Sequence, residues 1–565
     1  MNTTSEHHDA DSQKESRGSE AAARLDHDGP AANSRPSALP RSERFALIAI
    51  AAVTLAMRIV AFFHYRFDSD EPQHLHVAWG WTAGLLQYRD VFDNHAPLFH
   101  MATAPLLRLL GERADILLWM RGPMVLLWLI VIACTYVIAQ RLYDVRIAIW
   151  SVVMLNVLPP FFLKSIEFRT DNLWNAFWML AMVVLFLGRR SSRTFFLAGL
   201  LLGCALSVSI KTTLLLFTLA AAGAITWFMR RRARGAGVRA ELVAVFALGF
   251  AIVPALIAGY FVARGAWPDL VYCAFRFNSL VAVSRSPFVV WLPRICFIPM
   301  MYVVFRQAWR YRARTTDARY FFAVATGIFF ATLFSFWILI SPRDFLPFLP
   351  FLAIFFVAAV ARRKFFVEAI IVTAIVSLTG VGYYAAWLTN RTAEFITMER
   401  QLLNVSRPGE LVMDYKGELI YRRRPYYFIL EFITRNAIAQ GLVADTVPED
   451  LIRTRCHIAQ ADGTQWPDRA RLFMRANFID LGRLRVSGQW LQRDGTLTIA
   501  IPGDYVMLSQ SGEASGVLDG TPYRGSRTLE RGVHTFAGAN GRVACVWAPA
   551  FVRGFSPFHP RDLDF

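Results

Sequence analysis

DSDEPQHLHVAWGWTAGLLQYRDVFDNHAPLFH, residues 68–100, brings Asp68, Asp70, Glu71, Asp90, Asp93 and four histidines into one short stretch. It follows the first strongly apolar segment directly. Around it, out to about residue 390, the chain is mostly apolar runs of membrane-spanning length. An acidic, histidine-bearing, aromatic loop at the mouth of such a bundle is the first place to look for chemistry.

Composition agrees with that setting. Of 565 residues, 55% are apolar, 14% aromatic and only 18% charged, where a soluble protein carries about 25% charge. The expected class is a multi-pass α-helical membrane protein. A net charge of +18 invites a nucleic-acid reading, but the arginine clusters fall in short gaps between apolar runs, where the positive-inside rule puts them. No nucleic-acid partner is expected. Only five of the 60 basic residues are Lys, which reads as coding bias without functional message. Six cysteines are too scattered for a disulfide framework; Cys134, Cys204 and Cys296 read as small core residues. Cys456 and Cys545 share the C-terminal domain and are the one candidate pair.

Residues 1–44 are polar and aperiodic, and are expected to be a disordered tail. Eleven spans follow, at about 45–63, 120–139, 147–163, 172–188, 195–210, 212–229, 241–263, 288–305, 320–340, 343–361 and 366–388. The apolar run 195–229 is too long for one crossing and splits at Lys211-Thr212-Thr213. With the tail in the cytoplasm, the connections 140–146, 189–194, 230–240, 306–319 and 362–365 lie inside and carry eighteen basic residues with few acidic ones. An odd span count sends residues 389–565 outside. There, 390–440 suggests helices around a strand (GELVMDYKG), and 484–550 alternates like a β-meander or small sandwich, with turns at Arg493-Asp494-Gly495 and Asp519-Gly520. The C-terminal domain is therefore expected to be α/β or β-rich. Trp490, Tyr505, Tyr523 and Trp547 are candidates for stacking on sugar rings, with core packing as the bland alternative.

Within the opening stretch, Asp68-Ser69-Asp70-Glu71-Pro72 is a helix start, with acids in the first turn. Leu75, Trp79, Ala83 and Leu86 form a stripe that predicts a helix lying along the interface. The first outward loop, 64–119, would hold Asp70 and Glu71 just above the bilayer, where a carboxylate can take a proton from an attacking hydroxyl. Asp171, with Glu167 and Arg169 in KSIEFRTDNLW, sits in the next outward loop and could meet it across the bundle mouth. His95, Lys211 and Arg343 are the outward cations suited to a departing phosphate. Arg58, near the outer end of the first span, is expected to snorkel. His74 and His76 point to different helix faces and no paired-ligand motif is present, which disfavours zinc; a divalent cation on Asp70, Glu71 or Asp171 stays open. The rival class, a lipid or glycan transporter or flippase, would place ionisable groups at mid-bilayer rather than at one rim.

The order of one span, an outward loop with Asp-Glu, then G-x-x-x-YRD-x-FDNH-x-PL resembles the bacterial dolichyl-phosphate-mannose-type, or C-fold, glycosyltransferases. Their relatives include protein O-mannosyltransferases and the lipid A aminoarabinose transferase. The resemblance spans about 45–388. It is strongest over Asp70–Pro97 and supported by Phe168–Asn172, Ile210–Thr213 and Arg343–Pro347. It implies inverting transfer from a polyprenyl-phosphate-linked sugar to a lipid, glycan or protein hydroxyl, on the periplasmic face of an inner membrane. Carried over, Asp70 resembles the catalytic carboxylate with Glu71 beside it, and Asp171 the second-loop acid, Asp70 and Asp171 being the candidate metal ligands. Arg169, Tyr88 and Arg89 join the substrate-binding candidates. His95 stands where aminoarabinose transferases have a phosphate-binding lysine, which shifts that role toward Lys211 and Arg343.

Overall fold

A computed structural model describes residues 39–230, 239–283, 285–385, 389–461, 465–491, 495–538 and 541–558. The expected tail therefore lies outside the described residues up to residue 38, while its last residues already belong to helix α1 (Arg41–His64). Arg231, Arg232 and Arg234 of the basic connections, and Arg493 and Asp494 of one expected turn, also fall outside them. From Ala49 onward the chain is one compact unit.

Eight helices among the described residues are long and apolar enough to cross a membrane: α1, Ile116–Leu142 (its main helix α4, Gly122–Leu142), α6 (Thr170–Leu187), α8 (Thr212–Met229), α9 (Ala240–Ala263), α10 (Pro287–Tyr311), α11 (Asp317–Phe336) and Phe366–Tyr384. The other three expected spans appear as the shorter apolar helices α5 (Val145–Val157), α7 (Ser192–Val208) and α12 (Leu349–Val360). Proline explains two of the shortenings. Pro159 and Pro160 end α5 and start a separate turn, and Pro342 opens a 3-10 turn over Pro342–Phe345 before α12. The expected break before α8 is present, with Ser209 closing α7 and Lys211 preceding α8.

Packing between spans is closest where α7 meets α9. Gly199 and Gly203, one turn apart, face the backbone carbonyls of Phe246 and Phe250, and Gly249 faces that of Phe196; a Cβ at any of the three would overlap main chain. Small residues at this spacing let helix backbones approach where lipid supplies no hydrophobic drive.

In the first outward loop, α2 (Asp70–Thr82) and α3 (Leu98–Leu110) precede α4. The expectation of an interfacial α2 is corrected. Glu71 through Ala78 are all buried, because α2 is covered by the C-terminal domain on the side assigned to solvent. His76 Nδ1 lies 2.8 Å from the Ile420 carbonyl oxygen.

After Phe366–Ala385, the C-terminal domain begins with helix Ala393–Val405 and builds, among the described residues, an eight-stranded sheet ordered β1-β2-β4-β12-β6-β10 (β10, Ser526–Leu529), with β3 (Phe478–Leu481) beside β4 and β7 (Gly512–Glu513) beside β6. Its central strands are β4 (Leu484–Trp490), β12 (Ala544–Trp547) and β6 (Gly503–Ser509); β1 (Val412–Met413) pairs parallel to β2 (Ile458–Gln460). A second sheet, ordered β5 (Thr496–Ile499), β11 (Gly532–Ala537), β8 (Gly516–Leu518) and β9 (Thr521–Tyr523), includes the hairpin of β8 and β9. Asp519 and Gly520 join them with φ of 50° and 75°, as a tight hairpin requires. Tyr505, Tyr523 and Trp547 are buried in the sheet core, so the sugar-stacking expectation is corrected for these three; Trp490 is half-buried beneath Arg542. Cys456 and Cys545 are free thiols in two different cores and do not pair. Arg58 is buried rather than snorkelling, donating to Ser165 Oγ at 2.9 Å and lying over Trp128 and Phe162.

Replacing Gly203 by Leu forces α7 and α9 apart and is expected to cost about 1–3 kcal/mol. A lower apparent melting temperature in detergent, absent for Gly223→Leu, where a Cβ meets open space, checks it.

Candidate catalytic site

The first turn of α2 is held from behind. Glu71 accepts both Arg121 nitrogens, at 2.9 and 2.7 Å, together with the Asp68 and Phe168 amides at 2.9 Å each. Arg121 spends its remaining donors on the carbonyls of Phe62, Tyr65 and Arg66. Glu71 and Arg121 are fully buried and fully engaged, so Glu71 ties α1, α2, α4 and the second outward loop together. It has no free oxygen for a substrate.

Asp70, one position earlier, points the other way and is 24% exposed. Arg169 donates to it, and also to Asp68 at 2.9 Å and Asp171 at 3.3 Å, so one guanidinium joins three carboxylates. Lys211 bridges Asp171 (3.2 Å) and Asp344 (2.5 Å). Arg343 bridges Asp68 (2.5 Å) and Glu167 (2.9 Å), and Lys164 reaches Glu167 at 2.6 Å. The framework is fixed by two indoles on α6: Trp174 donates to Thr212 Oγ1 at the start of α8, and Trp178 to the Pro347 carbonyl. These bonds set Asp171, Lys211 and the Arg343-Asp344 turn at one level.

The C-terminal domain supplies the fifth cation. Lys416, in the turn after β1, is 5% exposed, pairs with Asp70 and lies 3.9 Å from Glu431. The sequence reading missed it. The available signal is the scarcity of lysine itself: three of the five lysines, Lys164, Lys211 and Lys416, converge here.

Burial alone would raise the Asp70 pKa, but Arg169 and Lys416 hold it well below the usual carboxylate range. Asp68 is lowered against burial by Arg343 and Arg169. Lys416 and Lys211 are raised against burial by their carboxylate partners. Glu431 and Glu167 are raised by burial.

Beside Asp70 lies a histidine cluster. His95 Nδ1 is 2.9 Å from Asp93 Oδ1; burial would lower its pKa, but Asp93 raises it above the ordinary value. His74 and His100 share a 3.0 Å contact, and burial lowers both. The structure thus brings Asp70, Asp171, Arg169, Lys211 and Arg343 into one network with His95 at its edge. It does not bring Tyr88 or Arg89 there. Tyr88 is buried at φ 74° with its hydroxyl on the His95 carbonyl, and Arg89 turns outward to Asp90 and the Arg264 carbonyl. The donor set does not suit a divalent cation, because a guanidinium joins Asp70 to Asp171, and no group of three or more His, Cys, Asp or Glu side chains among the described residues is placed to hold a metal.

These geometries separate two adjacent acids. Glu71→Gln leaves buried Arg121 without its charge partner and is expected to cost about 3–5 kcal/mol, seen as poor folding or a low melting temperature. Asp70→Asn removes a partly exposed group and is expected to fold, with a melting temperature close to that of the parent.

The comparisons with known proteins fit this architecture. The family model described as dolichyl-phosphate-mannose-protein mannosyltransferase matches residues 94–257. No curated protein is similar to the chain in sequence. Among solved structures, ArnT from Cupriavidus metallidurans bound to undecaprenyl phosphate superposes with a TM-score of 0.52 at 15% identity, over 78% of this chain and 97% of that one. Its apo form gives 0.52 and 15%, over 79% and 98%. At that identity the likeness is one of fold. The chain thus shares the fold of ArnT over most of its length, and within it residues 94–257 match the dolichyl-phosphate-mannose-protein mannosyltransferase family model.

Proposed function

We propose that this protein is an inverting glycosyltransferase that moves a sugar from a polyprenyl-phosphate donor to an acceptor hydroxyl on the periplasmic face of a bacterial inner membrane. The observation that carries this reading is the position of Asp70. It is a partly exposed carboxylate held by two cations, one from the second outward loop and one from the C-terminal domain, at the head of an apolar bundle.

In this reading the acceptor oxygen attacks the anomeric carbon, the bond from that carbon to the phosphate oxygen breaks, and the hydroxyl proton passes to Asp70. Charge then builds on the departing polyprenyl phosphate, which Arg169, Lys416, Lys211 and Arg343 surround. Stabilising charge that develops in the transition state is where positioned donors contribute most. The free site also accounts for how the base is armed. While Arg169 and Lys416 sit on Asp70, the carboxylate is a poor base. A phosphate competing for the same two cations draws them off and returns Asp70 toward ordinary carboxylate basicity. Glu71 sets the angle of α2, and Asp171 with Asp344 holds Lys211 in place.

Topology supports a single working face. The pairing of Asp70 with Lys416 favours reading the first outward loop and the C-terminal domain on one side of the membrane, a reading that needs an even number of crossings between them. The eight long helices leave seven after α1. Counting α5, α7 and α12 as crossings, and keeping the shorter apolar α3 within the first loop, restores an even number, which is consistent with the arginine-rich connections lying on the opposite, cytoplasmic side.

Asp70→Asn is expected to lower transfer from a polyprenyl-phosphate sugar by about 10²–10⁴-fold while still binding undecaprenyl phosphate; full transfer by this variant would reject the assignment. Lys416→Ala should weaken donor phosphate binding, whereas an unchanged Kd would remove the C-terminal domain from the site. His95, with its raised pKa, carries charge below that pKa and loses it as pH rises through it. Undecaprenyl-phosphate affinity should accordingly fall above the ordinary histidine range, in a limb that His95→Gln abolishes.

A further inference from the structure

A cavity of about 660 Å³ lies at the opposite end of α2 from Asp70, where α2 and α3 meet the C-terminal domain. Trp79, Leu107 and Leu411 give it an apolar floor, and Arg108 and Arg423 stand in its walls. The Trp79 indole is stacked on His76, with centroids 5.4 Å apart, and His76 is itself fixed to the Ile420 carbonyl. The ring is therefore presented rigidly. The backbone at Arg423 is fixed as well, its carbonyl accepting from the Val412 amide at 3.0 Å.

The charges in this cleft are unbalanced in a specific way. Two carboxylates, Glu112 and Glu410, also line it, but each is already taken. Arg422 holds Glu112 at 2.9 and 3.1 Å, and Arg553 holds Glu410 through two 2.7 Å bonds. Arg108 and Arg423 meet no carboxylate among the described residues, so the cleft offers free guanidinium groups around an aromatic face. Cavities of this size at a junction between domains are common ligand sites. An indole face with guanidinium forks beside it matches a sugar ring bearing carboxylate or phosphate.

We propose that this cleft is a second binding site, for an anionic saccharide, and that it holds the part of the acceptor remote from the reacting hydroxyl. The proposal rests on the glycosyl-transfer reading. It deepens that reading by naming the acceptor class. Trp79 and Thr82, which line the cleft, stand nine and twelve positions along α2 from Asp70, about 14–18 Å away, so the acceptor is an extended glycan or glycolipid head rather than a single sugar. Its negative groups face Arg108 and Arg423 while its free hydroxyl reaches Asp70.

The test uses the full chain in phosphatidylcholine nanodiscs, titrated calorimetrically with a tetramer of galacturonate and, separately, with maltotetraose. The galacturonate tetramer is expected to bind saturably, and Arg108→Gln or Arg423→Gln to raise its Kd about tenfold or more. Maltotetraose should bind more weakly, with no response to either variant. Both variants should keep the parent melting temperature and bind undecaprenyl phosphate like the parent, since neither residue belongs to the Asp70 network. Equal galacturonate affinity in parent and variants, or maltotetraose binding as tightly, overturns the proposal. So does loss of galacturonate binding when phosphatidylglycerol is added to the discs, since that assigns the cleft to a lipid headgroup. If the parent fails to bind undecaprenyl phosphate, the glycosyl-transfer reading falls, while the galacturonate titration still reports on the cleft.

Discussion

Arg169 is the group on which the outward face of this protein depends. Its guanidinium meets Asp68 and Asp70 from the first outward loop and Asp171 at the head of α6, and it is almost wholly buried while doing so. A cation in such surroundings is tolerable only when its charge is matched, and removing one partner of a buried pair typically costs about 3–5 kcal/mol. Two loops that share no sequence neighbourhood are thus obliged to come together. The same obligation repeats around it, with Arg343 between Asp68 and Glu167 and Lys211 between Asp171 and Asp344. The acids of the cluster are distributed so that Arg169, Arg343, Lys211 and Lys416 each meet more than one carboxylate.

In the proposed reading, that arrangement is what makes the site responsive to a phosphate. Every cation in the network holds carboxylates that a phosphate could displace, so ligand entry exchanges partners without stranding a charge. Asp70 is the member with most to gain, because Arg169 and Lys416 hold its pKa well below the usual carboxylate range against burial and it is among the more exposed of the acids. Glu71 gains nothing by comparison, being saturated by Arg121 and two backbone amides. Adjacent carboxylates in an Asp-Glu pair therefore have opposite surroundings, one partly exposed among the cations and one consumed by the scaffold.

The C-terminal domain is packed into this face. Gly417 has φ of 90°, and a Cβ there would come within 2.9 Å of the His76 ring, so only a glycine lets the turn after β1 settle onto α2. Lys416 is delivered to Asp70 by that approach. Tyr421 and Arg422 extend the contact to Arg113 and Glu112, and Ile429 and Ile433 pack with Leu86, Tyr88 and Phe92. Fixing α2 at several points along its length also explains why it is buried although its sequence reads as amphipathic.

Local sequence was enough for the membrane class, the positions of the apolar helices, the break at Lys211 and the strand-rich end, because hydropathy and turn chemistry act over a few residues at a time. It also marked Asp70, Asp171, Lys211 and Arg343 as charges whose placement at span ends required a reason. It could not separate Asp70 from Glu71, since only the position of Arg121 decides which carboxylate is consumed. Nor could it assign Lys416, 346 residues away from Asp70 along the chain, or tell that Tyr505, Tyr523 and Trp547 are core while Trp79 lines a cleft. Those distinctions depend on which surfaces another part of the chain covers. The tertiary structure settled them, because burial and charge pairing are properties of the folded whole.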